Sequence, residues 1–283
     1  MKPAEISKIF AGCEQCLICP ICGASLMLIE NKSLICENNH CFDISAKGYV
    51  NFLPNKKQSS GIYTKRLFEN RAFVFNTGIY EIVNSTIKDI ISLNFKGKQG
   101  VNLLDAGCGE GYYAAELARD PRINVFAADI IKDAIIMACK RKAPVKWMVA
   151  DLVRTPVRAG TMDVVLNVLA SANYTEFRRI LADGGMIIKI IPGNDYLKEI
   201  REILKPGLLN KEYSNEDVAE YFEKHAKIID VRTLNYKVPV DARLLKHLIE
   251  MTPMTGGVCR QEIDAGDISE ITINLNILTG KPR

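Results

Sequence analysis

The run Val101-Asn102-Leu103-Leu104-Asp105-Ala106-Gly107-Cys108-Gly109-Glu110-Gly111 constrains this chain more than any other, because it sets an apolar strand directly against a turn with three glycines in five positions. Glycine reaches φ values closed to other residues and lets the backbone pass within van der Waals distance of a ligand. Residues 112–119 continue at helical spacing, so the segment predicts a strand, a ligand-facing turn and a helix. A dinucleotide fingerprint places its third glycine three residues after the second and leads into a helix that meets a pyrophosphate. Here the third glycine comes two after, and Asp105 and Glu110 bracket the turn with negative charge. Such charge repels a pyrophosphate and suits a ligand carrying an ammonium and a sulfonium.

S-adenosylmethionine is that ligand, and the stretch Asp105 to Gly111 resembles the first motif of the class I methyltransferases. Asp105, Gly107, Gly109, Glu110 and Gly111 are therefore cofactor-loop candidates. Residues 123–128 form a second apolar run ending in Asp129, where a carboxylate about 20 residues past the glycines can accept both ribose hydroxyls. A helix N-cap is the alternative role for Asp129. Residues 145–149 lead to Asp151, placed to accept the adenine amino group, and Leu152, placed against the ring. Residues 163–168 end near Asn167, a candidate for the pocket wall. Apolar runs each finishing in a polar residue fit an open parallel sheet, whose ligands lie outside the carboxyl ends of its strands. Helical spacing from 73 to 91 sets Tyr80 on a helix, over the cofactor or in the core. Runs at 186–191, 227–234 and 271–278 bring the strands to seven, with helices at 174–181, 195–204 and 241–250 between them.

Six of the nine cysteines fall within the first 41 residues, a clustering that argues for metal rather than disulfides. Cys19-Pro-Ile-Cys22-Gly is a knuckle that converges two thiolates on one cation, and Cys36 with His40 supplies a second pair. A Cys3His set fills a tetrahedral shell with no open position, so one structural Zn2+ is expected. Cys41 adjoins His40 and is its rival as fourth ligand. Cys13 and Cys16 repeat the knuckle spacing upstream and read as bystanders, with an iron–sulfur cluster or a second metal as the alternative.

Cys19-Pro-Ile-Cys-Gly, then Cys36 to Ile44, Lys47 to Asn51, Arg71-Ala72-Phe73, Gly78-Ile79-Tyr80 and Leu104 to Tyr113 together resemble the ribosomal large-subunit RNA guanine-N1 methyltransferases. Met251-Thr252-Pro253 adds a thinner match. The resemblance implies an α/β class I methyltransferase, Rossmann-like, with a seven-stranded mostly parallel sheet whose final strand is antiparallel, and a small N-terminal zinc-binding domain. It implies that Tyr80, Glu110 and Gly111 touch S-adenosylmethionine, and that the substrate is a guanine in a hairpin of large-subunit (23S) ribosomal RNA. The cofactor-contacting histidine of the family has no counterpart in 204–213, and Cys13 and Cys16 exceed the family pattern. The expected division is a zinc ribbon over 1–52, a connector over 53–72 and the transfer domain over 73–283.

Apolar residues make up 48% of the chain and charged ones 25%, an ordinary globular balance, and a net charge of +4 allows an anionic partner without requiring one. No apolar run approaches the ~18 residues of a membrane span, and residues 9–11 fall short of a signal region, so the expectation is a cytoplasmic protein without a membrane partner. A homodimer is compatible with the sequence.

A sulfonium methyl is already activated, so transfer is mainly a matter of position. Guanine N1 bears a proton at neutral pH, which a base must take, and no residue in the pattern marks itself as that base. N1 lies on the pairing edge, so the base must be met unpaired or be pulled from its stack. Phe42, Tyr49, Phe52 and Tyr63 among Lys47, Lys56, Lys57, Lys65 and Arg66 would suit a looped RNA, unless Phe42 and Tyr49 merely seal the zinc core. Two other classes fit the pattern: a methyltransferase of a small molecule or protein with the zinc module as lid, and a non-catalytic zinc-dependent RNA-binding protein.

Overall fold

Four short strands open the chain: β1 (Leu26–Ile29), β2 (Ser33–Cys36), β3 (Cys41–Asp43) and β4 (Tyr49–Asn51). The computed structural model describes residues 8–53, 61, 63–204, 216–252 and 268–283. The first three strands pair antiparallel in the order β1-β2-β3. β4 leaves that small sheet and joins the large one.

The large sheet contains β5 (Val101–Ala106), β6 (Ile123–Asp129), β7 (Lys146–Val149), β8 (Met162–Val168), β9 (Leu181–Pro192), β10 (Ala226–Pro239) and β11 (Glu270–Pro282). Its order is β10-β11-β9-β8-β5-β6-β7-β4. Neighbours from β4 to β9 run parallel, and β11 runs antiparallel to both β9 and β10. The seven expected strands are present, and β4 is an eighth. Val50 pairs beside Met148, and β4 covers what would otherwise be the open edge of β7. The residue range 1–52 thus contributes a strand to the sheet of the transfer domain.

Burial on both faces explains the apolar runs. Every residue of β8 is buried, as are four in succession in β5 and in β6, the mark of a parallel sheet covered on each side. β10 lies at the opposite edge and alternates along its length. Because side chains alternate at period two, Leu103, Val125, Trp147 and Val164 enter one core while Leu104, Phe126, Met148 and Val165 enter the other.

Helices α1 (Lys65–Asn76), α2 (Glu81–Asn94), α3 (Tyr112–Leu117), α4 (Lys132–Ala138), α6 (Lys198–Leu204) and α8 (Ala242–Met251) flank α5 (Tyr174–Ile180) and α7 (Glu216–His225) in sequence. Residues of α1 to α4, α6 and α8 fill the first core, including Val74, Ile87, Leu117, Ile135, Ile200 and Leu248. The second is closed by Phe177 of α5, Phe222 of α7 and the amino-terminal module through Phe10, Leu17, Leu26, Leu34 and Phe42.

Two expectations change here. The single helix read across 73–91 is two, because Gly78 takes φ +84 after α1 and turns the chain; Tyr80 becomes the N-cap of α2 rather than a mid-helix residue. The connector expected over 53–72 also contains the first turns of α1, started by Thr64, whose hydroxyl accepts the Leu67 N–H at 3.3 Å. Residues 54–60, including Lys56 and Lys57, lie outside the described residues. No helix among the described residues is long and apolar enough to cross a membrane.

Candidate active site and metal centre

The sheet reverses its winding between β5 and β8, where a parallel α/β sheet opens a crevice at its carboxyl edge. Two cavities meet there, of about 220 and 470 Å3, sharing Tyr63, Arg71, Gly107, Val168 and Leu169. Asp105, Gly107, Gly109 and Glu110 line the smaller, and Gly107, Asp129, Asp151 and Leu152 the larger. Residues as far apart in sequence as Tyr63 and Leu169 thus converge on one continuous space.

The glycine turn owes its form to backbone angles that side chains resist. Gly107 takes φ +84, and a Cβ there would lie 2.7 Å from that of Ala170. Gly111 takes φ +79 and caps α3, and its Cβ would lie 2.5 Å from the Trp147 ring. Gly111 therefore serves packing beneath the loop and does not line the cavities.

Asp129 is not the N-cap of α4, which is Ile131, two residues on. Its carboxylate accepts the Gly109 N–H at 2.9 Å and the Ile131 N–H at 2.8 Å, tying the glycine turn to the start of α4, while the side chain also lines the larger cavity. Burial raises its pKa, opposed by those N–H groups and by Arg71. Glu110 is raised by burial too, opposed by Arg141, whose guanidinium donates to Glu110 Oε1 at 3.2 Å. Asp105 is pushed up to about 8, first by burial and then by the charges of Glu110 and Asp129. Its Oδ2 is buried with no hydrogen-bond partner. A buried acceptor left unmatched beside a cavity is suited to a cationic ligand group.

Two candidates sit behind the wall. Tyr80 is fully buried, and its hydroxyl lies 2.7 Å from that of Tyr196, which does line the smaller cavity. Asn167 is also fully buried and spends its amide on protein: Nδ2 donates to Ala106 O at 2.7 Å and Ser171 O at 3.1 Å, and Oδ1 accepts from Lys189 Nζ. Lys189 also donates to Ala170 O at 2.6 Å, and burial lowers its pKa to about 8. This strut holds the loop after β8, where Leu169 adopts φ +49, a conformation costly for leucine, with its N–H donating to Ile190 O at 3.0 Å. Asp163, by contrast, is remote at the far end of β8, accepting from Asn102 N and Lys98 Nζ.

Phe75, Tyr113, Tyr196, Met251 and Thr252 complete the smaller cavity. The Met251-Thr252-Pro253 turn is, like Asn167, a sequence candidate for the pocket wall; Met251 and Thr252 line it, and Pro253 lies outside the described residues. Tyr196 and Leu169 had no sequence signal, since only the fold brings them to the crevice. The stacking surface expected from Phe42, Tyr49 and Phe52 is corrected: all three are buried, with the rings of Phe42 and Phe52 5.0 Å apart. Tyr63 alone of that group reaches the cavities, 41% exposed and stacked on Phe68.

In the amino-terminal module, Cys19, Cys22, Cys36 and His40 offer ligand atoms that all lie within 4.8 Å of one another. His40 Nδ1 is 3.5 Å from Cys19 Sγ and 3.4 Å from Cys36 Sγ. Gly23 at φ +80 and Asn39 at φ +61 form the two turns that converge them. The thiolate-rich donor set fits a structural Zn2+. Cys41 is exposed on β3 and directed at Asp43, apart from the cluster. Cys13 and Cys16 are buried against the base of the sheet, where Asn102 Nδ2 lies 3.6 Å from Cys16 Sγ; burial pushes Cys13 up to about 12.

The family model described as RlmA, N-terminal, a zinc ribbon, matches residues 17–61, and one described as a methyltransferase domain matches residues 103–185. YxjB of Bacillus subtilis (strain 168), provisionally named a 23S rRNA (guanine-N(1)-)-methyltransferase, is 34% identical over 93% of this chain and 95% of its own. The 23S rRNA (guanine(748)-N(1))-methyltransferase of Streptomyces fradiae is 27% identical over 94% of this chain and 96% of its own. With the glycine turn, the strand order and the Cys3His cluster all in one chain, this protein belongs to the 23S rRNA (guanine-N(1)-)-methyltransferase family.

Proposed function

We propose that the protein transfers a methyl group from S-adenosylmethionine to N1 of a guanine in a hairpin of 23S ribosomal RNA, with the cytoplasm as its place of action. The observation that carries this reading is the unmatched Oδ2 of Asp105, buried at a continuous cavity in a chain similar end to end to guanine-N1 methyltransferases.

In this reading Asp129 takes the ribose hydroxyls, Asp151 the adenine amino group and Leu152 the ring face, while Asp105 takes the amino-acid ammonium. Glu110 adds to the negative field and Gly107 and Gly109 admit the backbone close to the ligand. Tyr80, Gly111 and Asn167 position these groups from behind, through Tyr196, Trp147 and the loop after β8. The donor supplies a methyl already activated on sulfur. What the chain supplies is alignment, which is worth roughly 7 to 11 kcal/mol when the partners are held at near-attack distance. A guanine turned out of its stack meets the exposed Tyr63 ring at the mouth of both cavities. Cys19, Cys22, Cys36 and His40 hold one structural zinc that shapes the amino-terminal module as an RNA-facing element.

Incubation with labelled S-adenosylmethionine and unmodified 23S ribosomal RNA, followed by mapping of the product, tests the proposal. Label should appear on guanine N1, and Asp129→Ala should remove labelling and cofactor binding together. Label on a pyrimidine, a ribose or protein alone would overturn it.

A further inference from the structure

Arg71 stands where the two cavities join, and none of the roles assigned above uses it. It projects from α1, lines both cavities and is partly buried. Its guanidinium carbon lies 5.9 Å from the centre of the Phe68 ring, and a Cβ built on Gly109 would come within 3.9 Å of its Nη1. The group is thus held beside the glycine turn. Glu110 already pairs with Arg141 at 3.2 Å, and Asp129 already accepts two backbone N–H groups. Arg71 stabilises the ionised form of both acids from a distance without being their hydrogen-bond partner.

The charges around the cavities frame a specific demand. Asp105, Glu110, Asp129 and Asp151 favour a cationic ligand, yet S-adenosylmethionine also carries a carboxylate, which the ionised acids, Asp105 among them once an ammonium lies beside it, would repel. Among the described residues lining the two cavities, Arg71 is the one cation. A guanidinium matches a carboxylate in geometry as well as charge, through paired N–H donors.

We propose that Arg71 binds the carboxylate of the cofactor's amino-acid moiety and thereby selects the intact amino acid over derivatives that lack it. This rests on the methyl-donor reading above. A phosphate of the RNA is the rival anion, but the position of Arg71 beside Gly109, lining both cavities, sets it at the cofactor loop rather than on the outer surface.

Calorimetry with S-adenosylhomocysteine and with its decarboxylated counterpart, S-adenosyl-3-thiopropylamine, separates the readings without turnover. The wild-type protein should bind the first about 10- to 100-fold more tightly, the range of a hydrogen-bonded charge pair. Arg71→Gln should lose that preference, weakening S-adenosylhomocysteine while leaving the amine within about threefold, and Arg71→Lys should retain part of it. Equal weakening of both ligands would make Arg71 merely structural and overturn the proposal. Unchanged S-adenosylhomocysteine binding with reduced RNA affinity would assign Arg71 to the RNA instead. If the wild-type protein binds neither ligand, the methyl-donor reading itself falls, whereas binding of both without preference refutes only the role of Arg71.

Discussion

Burial keeps the Asp105 carboxyl protonated up to about pH 8 in the folded chain, whereas an unfolded aspartate ionises near about 4. Between those values the folded state holds a proton that the unfolded state has released, so this residue subtracts stability as pH rises from about 4 to about 8. Asp105→Asn, which cannot ionise, should raise Tm relative to wild type at pH 8 and much less at pH 5 in thermal melts without ligand. An ammonium beside Asp105 favours the carboxylate, so binding expels a proton near neutral pH. S-adenosylhomocysteine affinity should tighten toward pH 8 and level off above it. Calorimetry in two buffers of different ionisation enthalpy should find proton release in the wild type and none in Asp105→Asn. Packing gives a second residue-scale contrast. Gly111→Ala must adopt φ +79 and meet Trp147, while Gly97→Ala at the same φ +79 meets nothing within 4 Å. The first should cost on the order of 3 kcal/mol and the second roughly 1, measured by denaturant unfolding.

Elements were legible to the extent that their signal was local. The runs ending in Asp129 and Asn167 gave their strands, and Asp241 marked the start of α8, where it accepts the Leu244 N–H at 2.7 Å. The break at Gly78 escaped because apolar spacing continued across it, and α7 escaped because it is mostly polar. In the amino-terminal element the choice between His40 and Cys41 could not be read from adjacency. β3 decides it, since neighbours on a strand point to opposite faces and Phe42 faces inward. Cys41→Ser should keep about one zinc per chain, and Cys22→Ser should lose it, by elemental analysis of purified protein. Equal zinc loss in both variants would count against the Cys3His set.

At the scale of the molecule, the zinc module and the transfer domain share one core. Leu17, Leu26 and Leu34 belong to the same cluster as Phe126, Met148 and Val165, and β4 is paired to β7. Metal removal should therefore lower the midpoint of a single cooperative melt rather than add a separate early transition, as followed by circular dichroism with and without chelator. Two resolved transitions would show that the shared core does not couple the parts. Cys13 and Cys16 belong to this scale too, as packing of the amino-terminal segment against the base of the sheet rather than as ligands.

The chain order of strand, glycine turn, acids and cysteine pairs was enough to determine the fold class, the cofactor loop and the metal cluster, because each depends on backbone conformation or on ligands a few residues apart. Tertiary structure alone decided that β4 crosses to the large sheet, that Tyr80 and Asn167 stand behind the cavity wall, and that Arg71, Leu169 and Tyr196 face it. Those outcomes depend on which surfaces meet once strands from opposite halves of the chain lie side by side, and no spacing along the sequence encodes that distance.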